Sequence, residues 1–317
     1  MTTTRTLGPL EVSTIGLGCN NFGRAGTRTE DQAGTDAVIH AAIDHGITFF
    51  DTADIYGNPP TTSESLMGVA LRKAGSSARD RVVLASKWGH QSLPVEGTET
   101  WGPKGAREYI RRAVEGSLRR LQTDRIDLYQ LHTPDPETPI DETVRALDEL
   151  VAEGKIRAYG HSNLSAEQIR EAAAVPSEHG FVSAQDEYSL VERGVERDVL
   201  PAVAEAGLGF LPYFPLANGL LSGKYAKGAG PRDARLTRLK PELLERVDWA
   251  RLDEYERVAR DAGRTMLEAT FQWMLAQPTV ASVIAGATSP EQVAQNAAAG
   301  QGELDASAVE EIAALFA

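Results

Sequence analysis

The chain has 317 residues and a mass of 34.1 kDa, which suits one large α/β barrel or two ordinary domains. Its formal net charge of −13, from 32 basic and 45 acidic residues, opposes binding to nucleic acid or an anionic membrane over the surface as a whole. The single cysteine, Cys19, excludes an intramolecular disulfide and a cysteine cluster for zinc. The N-terminus lacks a long apolar signal segment, and no apolar run approaches the roughly 20 residues of a membrane span. The sequence therefore predicts a soluble, cytoplasmic protein.

Strand-like and helix-like segments alternate along the chain after a short hairpin around RTLGPLEV. Apolar runs rich in β-branched and aromatic residues predict strands that are buried on both faces, and amphipathic stretches predict helices. Ser63 is expected to cap one helix, and Pro139 and Gly154 to open and end another. The predicted strands are 14–19, 48–51, 82–87, 126–132, 156–163, 181–189, 209–215 and 282–287, and the predicted helices between them include 31–45, 63–71, 106–121, 139–153, 166–174, 195–206 and 266–276.

Eight strand-helix pairs in this order predict a parallel sheet that closes into a (β/α)8 barrel with an N-terminal β-hairpin. No linker or low-complexity tract divides the chain, so we expect a single domain over residues 1–317. The alternative, a doubly wound open sheet, requires a phosphate loop. The nearest candidate, GLGCNNFG, has a last glycine spacing too long for that motif, and no Walker A sequence occurs.

Four polar residues, Asp51, Tyr56, Lys87 and His132, stand at or just after the ends of three predicted strands. In a parallel barrel the carboxyl ends of the strands meet at one edge, where catalytic groups collect. Taken singly, each has a structural alternative: a turn or helix cap for the aspartate, a turn or snorkelling side chain for the tyrosine and lysine, and a core position for the histidine. Together they predict one active site, in which the lysine charge favours the phenolate of Tyr56 and the aspartate keeps the lysine charged.

The blocks FFDTADIYG, LASKWG, LYQLH, GHSN and GATSPEQVAQN, in this order and over nearly the whole chain, resemble the signature segments of the aldo-keto reductases. The resemblance extends to the bacterial members and to the branch that includes the potassium-channel beta subunits. It implies an NADP(H)-dependent oxidoreductase that reduces an aldehyde or ketone to an alcohol, or the reverse. Tyr56 would be the general acid or base, supported by Asp51, Lys87 and His132.

The same resemblance implies the cofactor contacts. Ser162, Asn163 and Gln185 would hold the nicotinamide carboxamide, and Tyr213 would stack on its ring. A covering loop with small residues would approach the pyrophosphate, and a helix starting at Ser289-Pro290 would bind the adenosine end. Phe214 stands where a serine is expected. The remaining implied cofactor contacts are Phe214, Pro215, Leu216, Asn218, Gly219, Leu221, Gly286, Thr288, Gln292, Gln295 and Asn296.

Three points stay open at this level. Many relatives place a cation at the position of Gln292, so NADP is favoured and NAD remains possible. The predicted substrate pocket contains Asn20, Phe22, Trp88 and Trp101, but the sequence names neither a substrate nor an oligomeric state. The long basic connection after Gly223 either closes over the dinucleotide or is a solvated loop; its basic residues are Lys224, Lys227, Arg232, Arg235 and Arg238.

Two other functions are compatible with the same scaffold. A regulatory subunit would bind the dinucleotide without rapid turnover. A lyase would use Lys87 as a Schiff base, which requires a neutral amine that Asp51 opposes. No metal site is expected, because the histidines are scattered and His40 and His45 do not have the spacing of ligands on one helical face.

Overall fold

The computed structural model describes residues 3–93, 95–231 and 234–317. Its strands are β1 (Thr4–Leu7), β2 (Leu10–Ser13), β3 (Ile15–Gly18), β4 (Phe49–Asp51), β5 (Val83–Trp88), β6 (Ile126–Leu131), β7 (Ile156–Ser162), β8 (Phe181–Gln185), β9 (Gly209–Phe210) and β10 (Val283–Gly286). Strands β3 to β10 form one parallel sheet in the order β10-β3-β4-β5-β6-β7-β8-β9. This confirms the predicted (β/α)8 barrel.

Backbone hydrogen bonds between β9 and the segment leading into β10 close the barrel. The Phe210 amide donates to the Thr279 carbonyl at 2.7 Å, and the Ala281 amide donates to the Phe210 carbonyl at 2.9 Å. The Ile284 amide donates to the Pro212 carbonyl at 3.1 Å. Of the predicted strand 209–215, only Gly209–Phe210 is regular strand. Pro212 and Pro215 interrupt the rest, because proline lacks the N–H that a continued ladder requires.

The N-terminal hairpin of β1 and β2 packs against the interior of the barrel. Its apolar side chains Leu7, Leu10 and Val12 belong to the same buried cluster as Phe49 of β4 and Leu128 of β6. This cluster fills the barrel interior at the end where the hairpin lies. A functional site is therefore expected at the opposite end, where the strands have their carboxyl ends.

Thirteen α-helices occur in the described residues. They are α1 (Gln32–Asp44), α2 (Thr62–Ala74), α3 (Ser76–Arg81), α4 (Arg107–Leu121), α5 (Ile140–Ala152), α6 (Ala166–Ala173), α7 (Val199–Glu205), α8 (Arg235–Leu239), α9 (Pro241–Leu244), α10 (Trp249–Asp261), α11 (Met266–Leu275), α12 (Pro290–Ala299) and α13 (Ala306–Leu315). None of the helices in these parts of the chain combines the length and apolar character needed to cross a bilayer.

The structure corrects two expectations about local structure. Ser63 does not cap α2: the cap position is Thr61, and the Ser63 hydroxyl bonds to Thr52 Oγ1 at 2.9 Å and to the Cys19 carbonyl at 2.9 Å. It therefore ties the start of α2 to the strand ends beside the predicted site. The connection after Gly223 contains the short helices α8 and α9 and the longer α10, none of which the sequence pattern predicted; Arg232 lies outside the described residues.

Candidate active site

The barrel brings together the four residues that the sequence singled out. Asp51 ends β4, Lys87 lies in β5, and His132 directly follows β6, where its amide donates to the Trp88 carbonyl at 2.8 Å. Lys87 is fully buried, and its Nζ donates to Asp51 Oδ2 at 2.6 Å and reaches the Tyr56 hydroxyl at 3.4 Å. Asp51, Lys87 and Tyr56 thus form one chain of polar contacts that runs from the core to the barrel mouth.

The carboxylate of Asp51 is held on both of its oxygens. Oδ2 accepts from Lys87, while Oδ1 accepts from the amide nitrogens of Gln130 and Gln185, each at 3.1 Å. Lys87 also donates to the Thr52 carbonyl at 2.9 Å. The sequence reasoning missed Gln130; its signal was a polar residue in β6 two positions after Leu128, so that both side chains face the barrel interior.

Burial and charge act in opposite directions on this group. Burial lowers the pKa of Lys87, but the charge of Asp51 and the contact with Tyr56 outweigh it, so the lysine pKa is raised and the ammonium form is favoured. Burial also raises the pKa of the Tyr56 phenol and outweighs the opposing effect of Lys87. Lys87 thus lowers the pKa of Tyr56 as expected, but by less than burial raises it. Tyr56 is therefore a protonated phenol at neutral pH.

His132 stands beside Tyr56 as a neutral imidazole. The two ring centroids are 5.8 Å apart in an edge-to-face arrangement. Burial, followed by the charges of Lys87 and His90, holds the pKa of His132 well below its usual range. Its Nδ1 atom is buried without a hydrogen-bond partner among the described residues. A neutral imidazole can donate one hydrogen bond to a substrate oxygen that lies next to the Tyr56 hydroxyl.

The residues predicted to hold the carboxamide form a second cluster next to the first. Asn163 has a left-handed backbone conformation with φ of 63°, and its Nδ2 donates to the His132 carbonyl at 3.0 Å and to the Ser162 hydroxyl at 2.9 Å. The hydroxyl of Ser162 donates to the Gln185 carbonyl at 2.7 Å. The Tyr213 hydroxyl donates to Asn163 Oδ1 at 3.0 Å. These bonds fix Asn163 and Tyr213 relative to His132.

One cavity of about 1280 Å³ begins at these two clusters and continues to the start of α12. Asp51, Tyr56, His132 and Asn20 line it, and so does every predicted cofactor residue except Leu221. Leu221 is fully buried, and its carbonyl accepts from the Thr270 hydroxyl at 3.2 Å, so it anchors the loop after β9 to α11 instead of contacting the cavity.

Three of the predicted pocket residues are not on the cavity wall. Phe22 and Trp88 are completely buried in the core. Trp88 stacks on Tyr129 with ring centroids 4.5 Å apart, and its indole nitrogen donates to the Lys104 carbonyl at 2.9 Å. Successive side chains of a strand point to opposite faces, so the neighbour of inward-facing Lys87 points away from the barrel axis. Trp101 packs edge-to-face on the Tyr109 ring.

The far end of the cavity is the N-terminus of α12. The Ser289 side chain caps this helix, as predicted, by accepting from the Gln292 amide at 3.4 Å. Gln292 Oε1 accepts from the amide and the hydroxyl of Thr288, at 2.8 and 3.1 Å. A capped N-terminus that opens onto a cavity attracts anions through its unpaired N–H groups and its dipole.

Cationic side chains also line the cavity although the protein is acidic overall. Arg24, Arg28, Lys224 and Arg238 face it. Burial lowers the pKa of Lys224, which lies over the Tyr225 ring at 5.5 Å. Arg238 donates to the Gly26 carbonyl and so joins the loop after β9 to the loop after β3. The predicted basic connection therefore contributes Lys224 and Arg238 to the wall.

A second group of buried acidic residues consists of Asp54, which follows β4, and Glu64 of α2. Glu64 accepts from the Ser86 hydroxyl at 2.5 Å and from Arg120 Nε at 2.6 Å. Burial, reinforced by the charge of Glu64, raises the pKa of the neighbouring Asp54 to about 8. Asp54 Oδ1 is buried without a hydrogen-bond partner in the described parts of the chain. The sequence reasoning did not identify this group.

Fold and site together define a (β/α)8 barrel with a Lys-Asp-Tyr-His group at the carboxyl edge and a long cavity beside it. A family model described as the aldo/keto reductase family matches residues 14–317. The chain belongs to the aldo/keto reductase family.

Individual relatives agree with this assignment. The chain is 37% identical over 292 residues to an uncharacterised oxidoreductase of Bacillus subtilis, YrpG, covering 90% of this chain and 86% of the relative. It is 34% identical over 301 residues to a probable voltage-gated potassium channel subunit beta of Oryza sativa subsp. japonica, covering 87% and 89%.

Two solved structures are also similar. One is the holo form of aldo-keto reductase AKR11C1 from Bacillus halodurans, with a TM-score of 0.78 and 33% identity over 99% of this chain and 96% of that one. The other is an aldo/keto reductase from Klebsiella pneumoniae in complex with NADP and acetate, with a TM-score of 0.76 and 32% identity over 100% and 96%.

Proposed function

We propose that this protein is an NADP(H)-dependent oxidoreductase that interconverts an aldehyde or ketone and its alcohol, with Tyr56 as general acid and base. The observation that carries the proposal is the position of Lys87 Nζ, 2.6 Å from Asp51 Oδ2 and 3.4 Å from the Tyr56 hydroxyl. A fixed ammonium at this place stabilises negative charge on the phenol oxygen at the moment when its proton leaves.

The cavity suits a dinucleotide. Asn218 lines it and has a buried Oδ1 atom without a partner among the described residues, which an N–H or O–H group of a ligand would satisfy. Lys224 and the N-terminus of α12 supply positive potential for phosphates. The Klebsiella pneumoniae relative is in complex with NADP, which favours NADP over NAD for this chain.

When bound, the reduced cofactor would supply the hydride for the carbonyl carbon of the substrate in the reducing direction. Tyr56 transfers its hydroxyl proton to the carbonyl oxygen, and Lys87 stabilises the phenolate that remains. His132, neutral and beside Tyr56, donates a hydrogen bond to the same oxygen and orients it. Asp51 holds Lys87 in its charged form throughout. In the oxidising direction, the Tyr56 phenolate would accept the hydroxyl proton of the alcohol, while the hydride would leave the alcohol carbon for the oxidised cofactor.

The carboxamide cluster would position the cofactor for this step. Ser162, Asn163 and Gln185 offer hydroxyl and amide groups that match the donors and acceptors of a neutral amide. Tyr213 would cover one face of the nicotinamide ring and leave the other face toward Tyr56. Because Asn163 also bonds to the His132 carbonyl, the positions of cofactor and substrate oxygen would depend on each other.

The test is NADPH consumption by the purified protein with a panel of simple aldehydes, ketones and sugars, repeated with NADH and with the Tyr56→Phe variant. Consumption that depends on Tyr56 supports the proposal and ranks the two cofactors. Consumption that persists at the wild-type rate in Tyr56→Phe contradicts the assignment of Tyr56.

A second candidate function is a dinucleotide-binding regulatory subunit with little turnover, which the similarity to the rice potassium channel subunit favours. It predicts tight NADPH binding without consumption across the whole panel. The Schiff-base lyase is disfavoured, because a lysine held by Asp51 with a raised pKa is a poor nucleophile.

We propose a single domain over residues 1–317, a small carbonyl compound or alcohol as the partner, no binding of nucleic acid or membrane, and a cytoplasmic location.

A further inference from the structure

The loop after β3 packs directly on the loop that carries Tyr56. The Asn58 amide donates to the Gly23 carbonyl at 3.0 Å, and the Gly23 amide donates to the Thr29 carbonyl at 2.8 Å. The approach is so close that a Cβ atom on Gly57 would lie 3.2 Å from the Phe22 carbonyl oxygen. Residues 22 and 23 are therefore held against the loop that carries Tyr56, and Arg24 follows them on the cavity wall.

Arg24 is a cation at this end of the cavity, and among the described residues it has no counter-ion. Its side chain is partly buried and lines the wall, and no hydrogen bond or ion pair joins its guanidinium to another residue that the structure describes. Burial lowers the pKa of Arg24, and the Tyr56 hydroxyl is the ionisable group whose charge opposes that shift. Desolvating a guanidinium without a partner is costly, so an anion brought to it is bound with less competition from water.

No neighbouring group described in the structure forms an ion pair with the Arg24 guanidinium, so its charge can act on a ligand. His132 is neutral, and burial and Lys104 lower the pKa of His90. Asp51 is the acid on the wall beside Tyr56, and both of its oxygens are engaged by Lys87, Gln130 and Gln185. Glu30, on the same loop as Arg24, also lines the cavity, and its carboxylate accepts from the Gly26 amide.

Arg28, on the same loop, belongs to the other end of the cavity. Its charge acts on Glu291 in the first turn of α12. The two arginines of this loop are thus separated along the cavity, one toward the reacting groups and one toward the adenosine end.

We propose that Arg24 binds an anionic group of the substrate, so that the preferred substrate is a carbonyl compound that also carries a carboxylate or a phosphate. This inference rests on the proposed function, because it takes the carbonyl to lie at Tyr56 and His132. The planar guanidinium can form two parallel hydrogen bonds to either anion, and it discriminates against an uncharged substrate of the same length.

The experiment compares matched substrates that differ only in the anionic group. Succinic semialdehyde is paired with butanal, and glyceraldehyde 3-phosphate with glyceraldehyde. For each pair, the ratio of the two kcat/KM values is measured in the wild type, in Arg24→Gln, in Arg24→Lys and in the control Arg28→Gln. We expect the wild type to prefer the charged member of at least one pair, and Arg24→Gln to reduce that ratio about 10- to 100-fold. Arg24→Lys should retain part of the preference, and Arg28→Gln should keep the wild-type ratio.

Binding to the NADPH-loaded protein gives a readout that does not need turnover. By calorimetry, 4-hydroxybutyrate is compared with 1-butanol, and glycerol 3-phosphate with glycerol, because an alcohol and a reduced cofactor cannot react. Tighter binding of an anionic alcohol that is lost in Arg24→Gln supports the subsite even if no tested aldehyde is consumed. That result would separate a failure of the proposed reaction from a failure of this inference.

Three results would overturn it. The first is equal use and equal binding of charged and uncharged members in both pairs. The second is a preference that survives in Arg24→Gln. The third is a loss of NADPH affinity in Arg24→Gln with no change in either ratio, which would assign Arg24 to a phosphate of the cofactor instead.

Discussion

The side chains of Asp51 and Gln185, 134 positions apart in the chain, are joined by a hydrogen bond of 3.1 Å between Gln185 Nε2 and Asp51 Oδ1. Asp51 belongs to the group proposed to transfer the proton, and Gln185 belongs to the cluster predicted to hold the carboxamide. One carboxylate therefore orients Lys87 through one oxygen and Gln185 through the other. The proposed carboxamide cluster and the proposed proton-transfer group are therefore joined by hydrogen bonds through Asp51.

Tyr56→Phe should lower kcat by about 10²- to 10⁴-fold, because it removes the group that transfers the proton. The affinity for NADPH should stay within a few-fold of wild type, since the phosphate and carboxamide contacts are intact. Steady-state kinetics and fluorescence titration with NADPH measure the two quantities. The matched control is Tyr188→Phe, which removes a hydroxyl bonded to Glu196 away from the cavity; a comparable loss in that variant would point to a general effect on the fold.

Lys87→Met should abolish most activity and also destabilise the protein by about 3–5 kcal/mol, because it leaves the buried carboxylate of Asp51 without its cation. Adding Asp51→Asn should recover part of this free energy of unfolding but none of the activity. Urea denaturation and NADPH consumption of the two single variants and the double variant give both answers. Strictly additive stability losses would contradict a direct interaction between the two side chains.

Gln130→Met should reduce kcat by about 3- to 30-fold, since it deletes one hydrogen bond to Asp51 Oδ1 and one contact with Gln185 without changing a charge. Gln130 acts through Asp51, so we expect the pH dependence of the reaction to shift as well as its rate. Tyr129→Phe, on the opposite face of the same strand, is the control. If the variant had a raised KM but the same kcat and the same pH profile as the wild type, Gln130 would have only a packing role.

Asp54→Asn should stabilise the protein increasingly as the pH rises from about 4 to about 8. The folded-state pKa of Asp54 is about 8 and the ordinary value is 3.8, so in this interval the native wild type retains a proton that the unfolded chain has lost. The stability that Asp54 contributes is thus complete below about pH 4 and decreases by up to about 1.4 kcal/mol per pH unit until the folded pKa is reached. Denaturation midpoints of wild type and variant at several pH values measure the difference, and a difference independent of pH would contradict a raised pKa.

Gln292→Arg should increase the preference for NADPH over NADH by about tenfold. The new guanidinium would lie at the start of α12 and meet the 2′-phosphate that only NADPH carries. The ratio of kcat/KM for the two cofactors, with one fixed carbonyl substrate, is the measurement. An unchanged ratio would place the 2′-phosphate away from Gln292.

Much of this site was predictable because it depends on position along the chain. Asp51, Lys87 and His132 end or follow apolar strands, and in a parallel barrel this alone brings them to one edge. The capped start of α12 was likewise local, since Ser289-Pro290 is a helix-start signal. Three residues predicted for the substrate pocket lie off the cavity wall: Phe22, Trp88 and Trp101. Among them, Trp88 was favoured because it directly follows Lys87 in the sequence. Successive side chains of a strand point to opposite faces, so a residue directly after Lys87 in β5 cannot face the same pocket as Lys87.

The sequence by itself determined the alternation of strands and helices, the closure into a barrel and the edge at which the four candidate residues lie, because these follow from side-chain period and chain order. Only the tertiary structure decided that Gln130 and Gln185 share the carboxylate of Asp51, that burial outweighs Lys87 at the Tyr56 phenol, and that Arg24 meets no counter-ion within the described parts of the chain. Each of these depends on distances and solvent access between units far apart in the chain, and such distances are set by how the whole barrel packs.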